Sequence, residues 1–136
     1  MGKPLGIGVT GGIGTGKSLV CKIFAVLGAP IYDADARAKQ LMTVDKILVD
    51  QIKARFGRSS YHPDGSLNRD LLSREVFQDP LKLAQLNQLV HPRVAVDSEN
   101  WLRENENSPY VVKEAALLYE SGAYKSLDKI IVVTAP

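Results

Sequence analysis

Cysteine is almost missing from this sequence: Cys21 stands alone, so no disulfide can form within the chain, and a reducing compartment is expected. A strong charge of one sign is missing too. The formal net charge is +2, too mild to call for a nucleic-acid partner and equally suited to a small, phosphate-rich ligand. No apolar run approaches the ~20 residues of a membrane span. The N-terminal apolar run is broken by glycines and lacks the charged-then-apolar order of a secretion signal. These absences predict a soluble, cytoplasmic protein with no membrane and no nucleic-acid partner. Internal repeats and low-complexity tracts are absent as well. What is present suits one domain with a real core: 136 residues, 45% hydrophobic and 24% charged.

Along the chain, "LGIGVT" (5–10) is short and apolar and reads as a buried strand. "GKSLVCKIFAVLG" (16–28) places Leu19, Val20, Ile23, Phe24 and Leu27 at helical spacing, with Gly28 as a stop. "APIYDAD" (29–35) reads as a second strand running into two acids. Strand, glycine turn, helix and strand predict a parallel βαβ unit. The next stretch changes character. Residues 36–42, 45–57, 70–77 and 80–90 have helical patterns, "YHPDGSLNR" (61–69) is turn-rich, and Pro92 predicts a break or kink near His91 before the helix resumes to about Asn105. The single tryptophan, Trp101, is expected to pack in this helix rather than to stack a nucleotide. "PYVVKEAALL" (109–118) and "KIIVVTAP" (129–136) return to buried-strand character and extend the parallel sheet. The expected organisation is one domain. Its core is residues 1–35 and 108–136, and residues 36–107 form a helical insertion.

The densest chemistry lies in "VTGGIGTGKS". Gly11, Gly16, Lys17 and Ser18 match G-x-x-x-x-G-K-[ST] between a predicted strand and a predicted helix, the context that this motif needs. Backbone N–H groups can ring a polyphosphate only where side chains do not intrude, and the helix N-terminus adds its positive end. The cradle so predicted runs through Gly11, Gly12, Ile13, Gly14, Thr15, Gly16, Lys17, Ser18 and Leu19. Lys17 reaches the β- and γ-phosphates of ATP as a point charge, and Ser18 offers its hydroxyl to Mg²⁺. A rival pattern overlaps: Gly6, Gly8 and Gly11 fit G-x-G-x-x-G, with Asp33 downstream at the distance of a ribose-binding acid. That fingerprint requires a strand before its first glycine, and only "MGKPL" precedes it here.

Asp33 and Asp35 follow the second strand, at the end of the sheet where ligands gather in parallel α/β folds. Either acid can cap the following helix. Either can instead accept a proton from an attacking hydroxyl or meet Mg²⁺ through water.

"VTGGIGTGKS", "YDADARAKQL", "DGSLNRDLLSREVFQDP", "LNQLVHPRV" and "EAALLYESGAYKSLDKIIVV", in this order, resemble the dephospho-coenzyme A kinase family over essentially the whole chain. The resemblance implies a three-layer α/β/α P-loop fold with a parallel sheet and a helical acceptor-binding insertion. It implies transfer of the γ-phosphate of ATP to the ribose 3′-hydroxyl of dephospho-CoA, with Mg²⁺. Lys17 would hold phosphates and Ser18 the metal. Asp35 would be the base, with Asp33 beside it, and Thr10 would line the site. Arg69, His91 and Arg93 would meet the acceptor's anionic groups, and Glu120 would lie near the acceptor. Each also has a plainer reading: a helix cap or ion pair for Arg69, helix-end packing for His91, a solvated helix position for Glu120. Leu19 stands where the family commonly has a second hydroxyl residue, and Ala116 replaces a proline. After "VVTAP" the family continues into an arginine-bearing lid and a last strand. The chain as given therefore reads as a phosphate-holding scaffold without the lid's arginines, monomeric or weakly self-associating. Two other functions stay open at this point: a P-loop kinase of another nucleoside or nucleotide, and an inert phosphate-binding fragment. A switch GTPase is not favoured, because neither Asp-x-x-Gly at the expected place nor Asn-Lys-x-Asp occurs in these residues.

Overall fold

The computed structural model describes residues 4–12, 16–116 and 127–134. Four strands, β1 (Leu5–Thr10), β2 (Ile31–Asp33), β3 (Tyr110–Glu114) and β4 (Lys129–Val132), form one sheet in the order β2-β3-β1-β4. Every pairing is parallel. β3 does not add to the outside of the first two strands; it inserts between them, pairing Glu114 with Val9 on one side and with Asp33 on the other. The C-terminal ends of β1, β2 and β3 are thereby brought into line.

Five α-helices, α1 (Lys17–Val26), α2 (Ala34–Val44), α3 (Lys46–Phe56), α4 (Arg69–Gln78) and α5 (Pro80–Glu104), and one 3-10 turn, Arg58–Ser60, complete the described elements. Two compact units share the chain, Met1–Arg37 with Asp97–Pro136, and Ala38–Val96.

In the first unit, Val9 and Val112 are fully buried with Cys21 of α1 and Ala29, and Val20, Phe24 and Ile31 pack around them. Gly28, at φ +91°, ends the helix where its sequence predicts a stop. Tyr32 is buried beside Trp101, with ring centres 5.2 Å apart, so the tryptophan packs as expected. The Tyr32 hydroxyl donates to Asp97 Oδ2 at 2.7 Å, and Arg37 grips the same carboxylate through Nε at 2.9 Å and Nη2 at 2.6 Å. β4 departs from the reading of a buried strand. Ile131 and Val132 are exposed, because β4 borders the described sheet and pairs with β1 alone. One stripe of α1, Leu19, Ile23 and Val26, is also exposed, as is Leu27 at its C-terminal cap.

In the second unit, Leu48 and Ile52 are fully buried among Leu41, Tyr61, Leu72 and Val90, one apolar residue or more from each of its helices. The Tyr61 hydroxyl donates to the Met42 carbonyl at 2.5 Å, and burial pushes its pKa up to about 12. The turn-rich stretch closes as an antiparallel bridge between Tyr61 and Leu67. Within it, Asp64 Oδ1 accepts from the backbone and hydroxyl of Ser66. "LNR" then starts a helix: Asn68 caps α4 by accepting from the Leu71 N–H at 3.3 Å. Asp79 accepts from the Leu81 N–H at 3.0 Å, and Pro80 occupies the first position of α5, where its missing N–H costs no helical bond. The break expected near His91 does not occur. α5 continues through Pro92 to Glu104, the residues on both sides of the proline keeping helical structure.

Candidate phosphate-binding and phosphoryl-transfer site

The glycine loop begins directly after β1. Thr10 ends the strand, is buried, and donates its hydroxyl to the Ala116 carbonyl at 3.3 Å. Gly11 and Gly12 follow; Ile13, Gly14 and Thr15 lie outside the described residues. Gly16 is the residue before α1 and adopts φ +90°, ψ 12°, a left-handed conformation that a side chain would strain. Its carbonyl accepts from the Val20 N–H at 3.1 Å and closes the first helical turn. The N–H groups of Lys17, Ser18 and Leu19 therefore stand in the first turn of α1, where an α-helix supplies no carbonyl partner. This is the donor array and positive helix end that an anion requires. The rival dinucleotide pattern fails on placement: Gly6 and Gly8 lie inside β1, not after it. The Gly6 N–H is taken by Asp128 Oδ2 at 2.7 Å.

Lys17 extends between two carboxylates. Its Nζ stands 3.8 Å from Asp35 Oδ2 and 3.9 Å from Glu114 Oε1. The lysine side chain is 15% exposed and that of Asp35 49% exposed, so the ammonium is enclosed while the aspartate opens to solvent. The Ala116 N–H donates to the same Asp35 oxygen at 3.1 Å and fixes the carboxylate against the segment that follows β3.

Asp33 is the N-cap of α2: its Oδ1 accepts from the Ala36 N–H at 3.1 Å. Of the two readings left open for this pair of acids, capping belongs to Asp33, while Asp35 faces the lysine.

Sequence reasoning missed Glu114. It is buried at the C-terminal end of β3, and its Oε1 lies 3.5 Å from the Ser18 hydroxyl as well as near Lys17. The signal was there to be read: an acid closing an otherwise apolar strand, at the edge of the sheet where the loop sits. Its field and a hydrogen bond reach Cys21 too. Burial, with Glu114 second, pushes that thiol up to about 11.

Arg69, His91 and Arg93 belong to the second unit. Arg69 is the exposed first residue of α4, and His91 is half-buried within α5. Arg93 Nε donates to Asp45 Oδ2 at 2.6 Å, so its guanidinium already has a carboxylate partner. Glu120 lies outside the described residues.

Among known proteins, the model of the family described as dephospho-CoA kinase matches residues 5–136. A dephospho-CoA kinase of Chlorobium chlorochromatii is 44% identical over 97% of this chain and 65% of its own length. One of Thiobacillus denitrificans is 41% identical over 96% of this chain and 64% of its own. A crystal structure from Thermus thermophilus, 35% identical, superposes with a TM-score of 0.83 over 99% of this chain and 68% of that one. A dephospho-CoA kinase from Campylobacter jejuni, 25% identical, gives 0.74 over 93% and 64%. The chain thus spans about 65% of the length of the curated relatives it matches. The fold is the P-loop α/β fold that the sequence predicts. A match that runs through both units and on to the last residue, and not through the glycine loop alone, makes this chain a member of the dephospho-CoA kinase family.

Proposed function

We propose that this chain carries the ATP site and the proton-accepting residue of a dephospho-CoA kinase. It transfers the γ-phosphoryl group of ATP to the ribose 3′-hydroxyl of dephospho-CoA, giving CoA and ADP. The observation that carries the reading is the placement of Lys17 beside Asp35 at the start of the helix that follows the glycine loop. The ammonium neutralises charge on the phosphate oxygens, and the first-turn N–H groups of α1 hold them. Asp35 takes the proton of the 3′-hydroxyl as that oxygen bonds to the γ-phosphorus. The bond from phosphorus to the β,γ-bridging oxygen breaks, and its electron pair leaves with ADP. The Ala116 N–H aims the Asp35 carboxylate, which is half open to an incoming acceptor.

Mg²⁺ fits this site. A serine hydroxyl in the first turn of α1, 3.5 Å from a buried carboxylate oxygen, is the hard oxygen chemistry this ion takes, and nucleotide phosphates would supply further oxygens. Ser18 is the residue that would hold it, and the ion would neutralise charge developing on the phosphates. Asp33 serves the site by starting α2, which carries Asp35. Thr10 lines the loop. Arg69, His91, Arg93 and Glu120 are proposed to meet the acceptor. A nucleoside or nucleotide acceptor is not favoured, since the curated relatives are named for dephospho-CoA.

The test is ADP formation from Mg·ATP. It should depend on dephospho-CoA and be lost in Asp35→Asn. ADP formed equally with and without the acceptor, or undiminished in the variant, would overturn the reading.

A further inference from the structure

Asp35, the proposed base, has a half-exposed side chain, and its Oδ2 meets the Ala116 N–H at 3.1 Å and, more loosely, Lys17 Nζ at 3.8 Å. The backbone that carries it must therefore set its aim. That backbone is a corner, residues 32–37, with little packing to hold it. On one side lies β2, three residues long and at the border of the described sheet. On the other lies the start of α2, where none of residues 34–37 is buried. The buried residue of α2, Leu41, belongs to the core of the second unit. The helix thus carries the acid in one unit and its apolar anchor in the other. A helix is stiff, so a tilt about Leu41 would displace Asp35.

One carboxylate grips both ends of this corner. Asp97 of α5 accepts from the Tyr32 hydroxyl at 2.7 Å, from Arg37 Nε at 2.9 Å and from Arg37 Nη2 at 2.6 Å. Tyr32 and Arg37 flank the stretch that holds Asp33 and Asp35. All three bonds are as short as charge-assisted ones, and the arginine fork fixes direction as well as distance. The pair also stands where the chain changes units. Arg37 is the last residue of the first unit before the chain enters the second, and Asp97 is the first after it returns. We infer that Asp97 is a positioning residue for the reaction: it clamps Tyr32 and Arg37 and so holds the corner that aims Asp35. The inference rests on the reading of Asp35 as the proton acceptor. A purely structural ion pair predicts loosening spread over the first unit, whereas a clamp predicts a change confined to the corner.

Amide hydrogen exchange followed by NMR reads the aim of Asp35 without turnover. The Ala116 N–H is bonded to Asp35, while the neighbouring Ala115 N–H donates to the Val9 carbonyl at 3.1 Å, across the sheet. In Asp97→Asn and in Arg37→Met, exchange at Ala116 should quicken toward the rate of Asp35→Ala, which lacks the bond. Ala115 should keep its wild-type rate. With Mg·ATP and dephospho-CoA, kcat should fall at least about tenfold in both variants, since rate is lost steeply when a reacting group is misplaced. KM for ATP should stay within about twofold, because the glycine loop and Lys17 are untouched. The double variant should be no worse than the poorer single one, since both cut the same clamp. Arg37→Lys keeps the charge without the fork and should recover part of the kcat lost in Arg37→Met. An unchanged Ala116 rate or an unchanged kcat overturns the positioning role. Ala115 and Ala116 quickening together overturns it in favour of a structural role, as do additive losses in the double variant. No acceptor-dependent ADP from the wild type overturns the reading of Asp35 as a base, and the inference with it.

Discussion

Lys17 Nζ and Asp35 Oδ2 lie 3.8 Å apart, one from the helix after the glycine loop and the other from the helix after β2. The contact couples the group proposed to neutralise phosphate charge to the group proposed to accept the hydroxyl proton. Lys17→Met should therefore separate binding from folding. Loss of a charge-assisted contact is worth roughly 1.5–3 kcal/mol, about 10- to 150-fold in affinity for ATP. Calorimetric titration with ATP checks this, and an unchanged thermal midpoint shows that the loss is local. Unaltered affinity would remove Lys17 from the phosphate site.

Asp33 and Asp35 should part in a stability measurement. Asp33 accepts from the Ala36 N–H, so Asp33→Ala should cost about 1 kcal/mol in a urea titration, with Asp33→Ser restoring most of it. Asp35→Asn retains an acceptor for the Ala116 N–H and should change stability little. Equal costs at the two positions would refute this division.

Asp97 predicts a pH dependence. Hydrogen bonds from Arg37, and then from Tyr32, hold its carboxyl below the usual carboxylate range against the effect of burial. A carboxyl depressed in the folded state adds stability above its unfolded pKa, near about 3.9, and loses it as pH falls through the folded value. Wild type should therefore lose more unfolding free energy than Asp97→Asn between pH 5 and the acid limit of folding. Urea titrations across that range check it, and parallel losses would contradict it.

Cys21 should be chemically quiet. It is 4% exposed, and burial with Glu114 pushes its thiol up to about 11. At pH 8 the native thiol should react with a disulfide reagent more than about tenfold slower than in urea, since the thiolate is the nucleophile. The raised value also has a sign: stability from the protonated thiol is present below the unfolded pKa and lost as pH rises toward 11. Native and unfolded rates that coincide at pH 8 would show that the thiol is open.

The order of elements was legible along the chain because each rests on local physics. Gly28 ends a helix by its left-handed backbone, Asn68 and Asp79 cap helices through their own side chains, and the glycine loop sits between strand and helix as its motif requires. Pro92 shows the limit of local rules. A proline removes one helical hydrogen bond, which predicts an interruption, yet the pattern on both sides of it carries one 25-residue helix.

The sequence by itself determined the phosphate loop, the parallel α/β class and the family, since spacing and residue type suffice for these. Only the tertiary structure decided that β3 enters between β1 and β2, and with it that Glu114 stands beside Ser18 and Lys17. It also decided which of two neighbouring aspartates caps a helix and which faces the lysine. Strand order joins residues about 100 positions apart, and no local propensity encodes a partner at that distance. Burial and the charges that burial must match appear only when the chain has closed on itself.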